Sequence, residues 1–466
     1  MTRPWLRTSL LTLVAFGLLA GLMLAKHHLL LSSWAFDEAY LVQQLHNSAT
    51  DAPVTIRPSG HASGPAGALP FQEQHRKWLF RLAAPLYHAL PHAETVIVLY
   101  ALFAALSLMS LHALAAGLKL DDRLVPWLQA AWALSPWTLQ VVTYGFHDAL
   151  AATGTVYFAW LALLVRAPRW SWLGVPLLLL PREEPALLVL PTLALVPELW
   201  RAILASTAVG AALLAVTGLP AGYALDVATS LQVGFSPASY ASFLVTWPAP
   251  WLAGRLAPWS VAAAVGFVAL VNVLRAPVVY AWPFGFHAVD PVTREAIAIG
   301  SYHYYGLVLA FGMGALVLGL ARRPDPTRRL RVARWAAVLM AGPSLLFVPA
   351  QALDAWQRLD GDDVRLLHEA RERSAPPQAR VAADYDSIAL FANRDEAFCY
   401  QQPPPGMTDL DVVRRSDVFV VNRRHATPAL YRVLADRHLV EVGASPRHQV
   451  FARPPDNPLL GLPRGP

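Results

Sequence analysis

Two adjacent acidic residues, Asp37 and Glu38, follow closely on the first long apolar run of the sequence. They stand in the pentapeptide FDEAY at 36–40. A carboxylate at a membrane surface could act there as a general base or bind a metal ion. The alternative is structural, because an acidic residue also stabilises the positive end of a helix dipole. Asp37 and Glu38 are therefore the first candidates for catalysis.

Four further polar groups stand beside apolar runs, where charged side chains are costly and mark functional candidates by default. Each group has a structural alternative: lipid headgroup contact for 72–77, a helix-capping turn for 144–148, an internal ion pair for 182–184 and an aromatic belt for 302–305. The outer segment 275–303 supplies one more cation. The candidate substrate-binding residues are Glu73, His75, His147, Asp148, Arg182, Glu183, Glu184, Arg275, His303 and Tyr304.

The composition divides the chain into a membrane body, 1–353, and a soluble tail, 354–466. The 466 residues are 55% hydrophobic and only 15% charged, whereas typical soluble domains carry about 25% charged residues. The tail alone holds 31 of the 68 charged side chains. The net charge of +6 comes from basic residues between apolar runs. A nucleic-acid-binding protein would instead show a basic stripe with aromatic residues, so nucleic acid is not an expected partner.

About eleven segments are apolar enough to cross a bilayer, for which roughly 20 residues suffice. A signal peptide is the alternative for the first segment, but Met23-Leu24-Ala25 is a poor cleavage site. Two short segments flank Pro181–Pro185, and we interpret them as a hairpin; a single broken helix would change the topology. The segments are 8–25, 95–118, 124–143, 149–165, 170–181, 185–199, 202–221, 240–254, 256–274, 304–321 and 335–353.

The distribution of basic residues orients these segments. With the N-terminus in the cytoplasm, short inner loops hold 14 of the 22 basic residues of the body, including the cluster from Arg322 to Arg334. This agrees with the positive-inside rule. The long first loop, 26–93, then lies outside, and eleven crossings place the tail outside as well. All the candidate site residues fall on this outer side.

The tail alternates helical and strand patterns, which predicts a small three-layer α/β domain. Helices are expected at 362–373, 387–392 and 428–436, and strands at 379–383, 417–421, 439–442 and 449–452. The sequence there has no Gly-rich phosphate loop, so binding or structural support is favoured over catalysis. The single cysteine, Cys399, is expected to be a small buried residue, and it excludes an intrachain disulfide.

Taken in order, the polar clusters resemble a known family, the predicted membrane proteins of bacteria and archaea with domain of unknown function 2079. That family is related in architecture to the GT-C glycosyltransferases. The chain departs from the family pattern at 182–184, where Lys-Glu-Asp is usual, before His147, where an acidic residue is usual, and in an insertion at about 48–68. The matching stretches are FDEAY, 36–40; QEQH, 72–75, with the following 82–102; 134–152; PREEP, 181–185, with the following 186–195; 301–311; and 376–394.

The resemblance implies a polytopic α-helical, GT-C-like membrane protein in the bacterial inner membrane, with a small extracytoplasmic α/β domain at its C-terminus. It further implies sugar transfer from a polyprenyl-phosphate-linked donor to a glycan, lipid or protein acceptor. An acidic residue of the first outer loop is then catalytic or metal-binding, which makes Asp37 the first choice. A divalent metal, Mg or Mn, is a possible cofactor.

Two other functions remain open on the sequence: a transporter or flippase for a lipid or glycan, and a non-catalytic assembly protein. A transporter commonly shows internal repeats and charges at mid-membrane. This chain has no clear repeat, and its charges gather at one face. The pattern therefore favours one active face over a path through the membrane.

The topology gives a first testable prediction. Because eleven crossings place the tail outside, alkaline phosphatase fused after Pro466 is expected to be active, and a fluorescent protein fused there is expected to stay dark. The same two reporters fused after Arg323 provide the inner control and should show the reverse. A fluorescent C-terminal fusion would contradict the eleven-segment topology.

Overall fold

The computed structural model describes most of the two ends of the chain. Helices and strands are numbered along these residues only. The described residues are 3–31, 35–48, 54–56, 78–135, 138–139, 150–181, 184–190, 192–217, 305–342, 344–345, 348–349, 352–353, 359–373, 379–401, 403–404 and 406–453.

The described part of the body is helical. Its α-helices are α1 Arg3–His28, α2 Ala35–Asn47, α3 Trp78–Ala89, α4 Ala93–Gly117, α5 Val125–Ala133, α6 Leu150–Arg166, α7 Val175–Leu179, α8 Thr192–Leu195, α9 Trp200–Thr217, α10 Tyr305–Ala321 and α11 Pro326–Ala341. Short 3₁₀ helices lie at Pro168–Gly174, Glu184–Leu188 and Pro197–Leu199.

Three stretches among the described residues are long and apolar enough to cross a membrane: Arg3–His28, Ala93–Gly117 and Pro197–Val216. The first of them, α1, leaves large apolar side chains uncovered, with Leu13 62% and Leu18 70% exposed. Lipid accounts for such exposure, since water would penalise it. The predicted total of about eleven crossings stays a prediction.

Close packing joins the central helices. Helix α4 packs against both α1 and α6. A Cβ atom on Gly154 of α6 would lie 2.3 Å from the Trp132 ring, and the Trp132 indole donates to Ser107 Oγ at 2.8 Å. Only glycine permits this approach, as small residues do where membrane helices cross.

The segment 168–199 differs from the predicted pair of membrane helices. Its described residues form the 3₁₀ and α pieces given above, none of them longer than seven residues. Proline recurs here, and each proline removes a backbone donor and clashes with the preceding helical turn. The prolines are Pro168, Pro176, Pro181, Pro185, Pro191 and Pro197.

The bounds of other elements also differ from the predicted ones. Helix α11 begins at Pro326, not 335, because the Asp325 side chain accepts from the backbone N–H of Thr327 at 2.9 Å. Arginines predicted in an inner loop therefore lie in its first turns. The predicted first outer loop, 26–93, contains helices α2 and α3, and α1 extends into it to His28. The segment 124–143 is helical to Ala133; the segments 240–254 and 256–274 lie outside the described residues.

The tail forms a five-stranded mixed sheet in the order β2-β1-β3-β5-β4. Strand β1 pairs in parallel with β2 and β3, while β5 is antiparallel to β3 and β4. The strands are β1 Val381–Ala383, β2 Ala397–Cys399, β3 Val418–Asn422, β4 Val440–Ala444 and β5 His448–Ala452; the helices are α12 Gly361–Arg373, α13 Asp409–Arg415, α14 Pro428–Asp436 and a 3₁₀ helix at Ile388–Phe391.

The two faces of this sheet bury different partners. Phe419 and Val421 pack in one apolar cluster with α13 and α14. Val418 and Val420, which alternate with them along β3, belong to a cluster that continues into the membrane helices. Alternate side chains of a strand point to opposite faces. The four predicted strands and the helices 362–373 and 428–436 are present, whereas β2 and α13 were not predicted.

A buried acid–base triad fastens α12 to the sheet. His448 Nδ1 lies 2.7 Å from Asp363 Oδ1, and His448 Nε2 lies 3.2 Å from Asp384 Oδ2. Burial alone would lower the pKa of His448, but its hydrogen bonds to the two carboxylates outweigh burial and raise that pKa from 6.5 to about 9. Burial would raise the pKa of Asp384, but the bond and charge of His448 lower it from 3.8 to about 2.

These pKa shifts predict how stability depends on pH. The His448 contribution is complete below pH 6.5 and is lost as pH rises towards about 9; the Asp384 contribution is complete above pH 3.8 and is lost as pH falls towards about 2. Stability from the triad is therefore greatest between pH 3.8 and pH 6.5. We expect the melting temperature of the detergent-solubilised chain to fall from pH 6.5 to pH 9.

Substituting His448→Gln isolates this effect. The variant leaves two buried carboxylates without their cation, which costs about 3–5 kcal/mol, and it should lose much of the pH dependence above 6.5. The exposed His425, substituted in the same way, is the matched control. A His448→Gln variant with the stability and pH profile of the control would contradict the charged triad.

Candidate functional site

Ionisable side chains gather where α1 ends and α4 begins. His27 and His28 occupy the last turn of α1, and Glu94 occupies the first turn of α4. Cationic groups are favoured at the C-terminal end of a helix and anionic groups at the N-terminal end. The two antiparallel helices therefore present complementary charges at the same end of the packed pair. This group is called the junction cluster below, together with Glu38, His368 and Arg371.

The junction cluster is closed on one side by an ion pair inside the protein. Glu38, in the first turns of α2, contacts His27 Nδ1, and their side chains are only 4% and 1% exposed. Burying an unpaired charge costs far more than a surface contact gains, so the two residues depend on each other. The pair fixes the start of α2 against the end of α1.

Helix α12 of the tail closes the other side of the cluster. His368 Nε2 lies 2.8 Å from the His28 backbone oxygen, and Arg371 Nη1 lies 3.5 Å from Glu94 Oε1. Glu94 Oε1 is also 3.6 Å from His28 Nε2. The residues brought together thus come from α1, α2, α4 and α12, and span almost 350 positions of the sequence.

A hydrogen-bond network docks the sheet onto α2. Gln43 donates to Thr55 Oγ1 at 2.9 Å and accepts from the backbone N–H of Thr55 and Ile56 at 3.0 and 2.8 Å. Thr55 Oγ1 then donates to the Ala397 backbone oxygen at 2.5 Å. Asn47 donates to the Asp395 backbone oxygen at 3.2 Å. Residues 54–56 of the first loop are therefore held between α2 and strand β2.

A second guanidinium lies near this interface. Arg394 is only 5% exposed, and it donates to the backbone oxygens of Phe391 at 2.7 Å and Ala379 at 3.4 Å. Burial first, and the nearby charge of Arg371 second, lower the pKa of Arg394 from its usual value to about 10. It remains a cation at neutral pH, and within the described parts of the chain no carboxylate forms an ion pair with it.

Three of the predicted site residues, Asp37, Glu38 and Glu184, lie within the described residues. Glu38 lies in the junction cluster, and Asp37 precedes it in helix α2. Glu184 begins the 3₁₀ helix Glu184–Leu188. The other predicted site residues lie outside the described residues: Glu73, His75, His147, Asp148, Arg182, Glu183, Arg275, His303 and Tyr304.

The sequence reasoning missed His27, His28, Glu94, His368 and Arg371. A signal for the first three was present, because His-His and His-Ala-Glu stand at the ends of two apolar runs on the predicted outer side. Nothing local marks His368 or Arg371, which sit on an ordinary amphipathic helix of the tail.

Basic residues collect at the opposite end of the helices. Arg166 lies against Gly117, the last residue of α4, and a cavity of about 500 Å³ near it is lined by Arg169, Glu198, Arg201 and neighbouring tryptophans. Arg322 pairs with Glu198 at 2.7 Å. The acid–histidine cluster and the arginine-rich end are therefore separated by the length of the membrane helices. This separation agrees with the predicted orientation, which stays a prediction.

The fold and the junction cluster define a helical membrane protein whose histidines and carboxylates meet at one end of its helices. The family model described as "Predicted membrane protein (DUF2079)" matches residues 27–430, and the chain belongs to that family. The family predicted from the motif series is thus confirmed. No curated protein matches the sequence at a significant level.

Solved structures show a distant similarity. The chain is 13% identical to ArnT from Cupriavidus metallidurans in the apo state, over 90% of this chain and 94% of that chain, with a TM-score of 0.47. It is 12% identical to the same protein bound to undecaprenyl phosphate, over 99% of both chains, with a TM-score of 0.49. TM-scores below 0.5 are too low to assign an activity or a ligand from this similarity.

The buried ion pair generates a prediction about stability. Replacing Glu38 by glutamine leaves His27 buried without its counter-charge, which costs about 3–5 kcal/mol. Glu198→Gln is the matched control, because it breaks an ion pair that is largely exposed and that is worth about 0–1 kcal/mol. Thermal unfolding of the purified chain, followed by tryptophan fluorescence, measures both. Equal losses in the two variants would contradict a stabilising pair at His27.

Proposed function

We propose that the protein is an extracytoplasmic glycosyltransferase that takes its sugar from a polyprenyl-phosphate-linked donor. Asp37 is assigned as the base, and the junction cluster forms the floor of the site. The acceptor is a glycan, lipid or protein of the cell envelope. The motif series supports the assignment through its resemblance to GT-C glycosyltransferases, and the family match supports a membrane protein over residues 27–430.

The observation that carries the proposal is the ion pair between Glu38 and His27. A polar surface helix would leave both acids of the Asp37-Glu38 pair in water. Instead, Glu38 is buried in a structural contact that fixes the start of α2. A carboxylate committed to a buried ion pair is a poor base, so the catalytic role goes to its neighbour Asp37. Rigid support of this kind is what a reacting group needs to stay in position.

The proposed reaction is a single displacement. Asp37 accepts the proton of the acceptor hydroxyl, whose oxygen forms a new bond to the anomeric carbon of the sugar. The bond from that carbon to the phosphate oxygen breaks, and its electron pair leaves with the polyprenyl phosphate. The reaction needs no oxidant or nucleotide, because the lipid carries the activated sugar to the membrane.

The leaving phosphate needs positive charge where its own charge grows. Arg182, Arg275 and His303, three of the candidate substrate-binding residues, are assigned this role as predictions. Arg371 and Arg394 are two further candidates for this role. Arg394 is buried next to the docking interface, and the charge of Arg371 is close enough to lower its pKa. Guanidinium groups suit phosphate because their donors form a planar fork.

Replacing Asp37 by asparagine tests the assignment. The substitution keeps the size of the side chain but removes the base, and general-base catalysis contributes about 10²–10⁴-fold to a rate. We expect glycan products in a deletion strain complemented with Asp37→Asn to fall to the level of the empty strain. The melting temperature of the variant should stay at the wild-type value.

The control is the accumulation of donor lipid. In a strain that lacks a transferase, the sugar-linked lipid builds up at the outer face; in a strain that lacks a flippase, it builds up at the inner face. Full product from Asp37→Asn would overturn the base assignment. Donor trapped at the inner face of the deletion strain would overturn the transferase assignment itself.

A further inference from the structure

Three side chains of the junction cluster come close enough to share a metal ion. His27, His28 and Glu94 each offer one ligand atom, and these atoms lie within 4.8 Å of one another. They belong to the facing ends of α1 and α4, whose packing holds them together. The set has two imidazole nitrogens and one carboxylate oxygen.

The buried histidine is already oriented as a metal ligand. Its Nδ1 atom is taken by Glu38, and its side chain is 1% exposed. Its Nε2 atom is buried and has no hydrogen-bond partner within the described ranges. A buried polar atom left in this state costs about 1–3 kcal/mol. Histidine ligands characteristically bind the metal through one ring nitrogen and place the other against a carboxylate, and His27 Nδ1 is in contact with the Glu38 carboxylate.

Glu94, the carboxylate of the same group, also has one unsatisfied oxygen among the described residues. Its Oε1 atom faces His28 and Arg371, whereas its Oε2 atom is buried without a hydrogen-bond partner in the described part of the protein. The two unsatisfied atoms, His27 Nε2 and Glu94 Oε2, belong to two of the three potential ligands. One cation between them would satisfy both.

We propose that His27, His28 and Glu94 bind a zinc ion. Two histidines and a glutamate form a ligand set that zinc accepts, with the fourth position open to water or to a phosphate oxygen. Magnesium and calcium prefer oxygen ligands alone, so this site does not suit magnesium, which the resemblance gives together with manganese as a possible cofactor. The proposal does not rest on the glycosyltransferase assignment, because zinc binding is measured without turnover.

The net charge of the junction cluster is compatible with a bound zinc ion. Glu38 and Glu94 carry two negative charges, and Arg371 and the ion-paired His27 carry two positive charges. Histidine binds metal in its neutral form, so zinc displaces the His27 proton. The net charge of these four side chains and the ion is then one positive charge, compared with zero in the apo cluster. His368 Nε2 donates to the backbone oxygen of His28 at 2.8 Å. The ion would thus tie α1 and α4 together beneath α12.

The test measures zinc in the full-length chain, purified in lipid nanodiscs with an affinity tag free of histidine. We expect one zinc ion per chain by elemental analysis. The double variant His28→Gln/Glu94→Gln should lose it, and the control His92→Gln, an exposed histidine two residues before Glu94, should keep it. Glu38→Gln retains all three ligands and should weaken binding about 10–100-fold.

Visible absorption of bound cobalt provides a second measurement, which does not depend on the variants. After chelation, Co²⁺ added to the wild-type chain should give the intense visible absorption of a four-coordinate site, and Zn²⁺ should abolish it and raise the melting temperature. Zinc bound with equal stoichiometry and affinity by the double variant would overturn the proposal. A wild-type chain that is stabilised no more by zinc than by magnesium would overturn it as well.

Discussion

The buried contact between His27 and Glu38 is the constraint on which the junction cluster depends. An ion pair at this depth is costly unless each charge meets its partner, so α2 can pack only with Glu38 against the last turn of α1. That packing brings the FDEAY segment to the junction of two membrane helices. It also leaves the second nitrogen of His27 buried and without a hydrogen-bond partner among the described residues, in the same group as His28 and Glu94.

The tail completes this arrangement from the opposite end of the sequence. Its sheet carries one face of apolar side chains that continues the core of the membrane helices, while Gln43 and Thr55 connect α2 to β2 through hydrogen bonds. Helix α12, fastened to the sheet by the Asp363–His448–Asp384 triad, delivers His368 and Arg371 to the cluster. The tail therefore contributes residues to the junction, a role that its small size and strand pattern did not indicate.

The sequence predicted what local pattern controls. Long apolar runs predicted α1, α4 and α6 closely. The alternation of helical and strand patterns along the tail predicted four of the five strands. Prolines broke the predicted hairpin at 170–199 into short pieces, since hydropathy alone takes no account of a missing backbone donor. The partners of Glu38 and Glu94 could not be predicted, because contacts such as His28–His368 join positions 340 residues apart. Three-residue β2 is also too short to give a periodic signal.

The central claim is that lipid-phosphate chemistry takes place at the junction of α1, α2, α4 and α12. A cryo-EM structure of the full-length chain in nanodiscs with undecaprenyl phosphate tests it most directly. We expect phosphate density at the C-terminal end of α1, with the Asp37 carboxylate facing it and Arg371 or Arg394 in contact with it. Phosphate density at the opposite end, in the cavity lined by Arg169 and Arg201, would contradict the account.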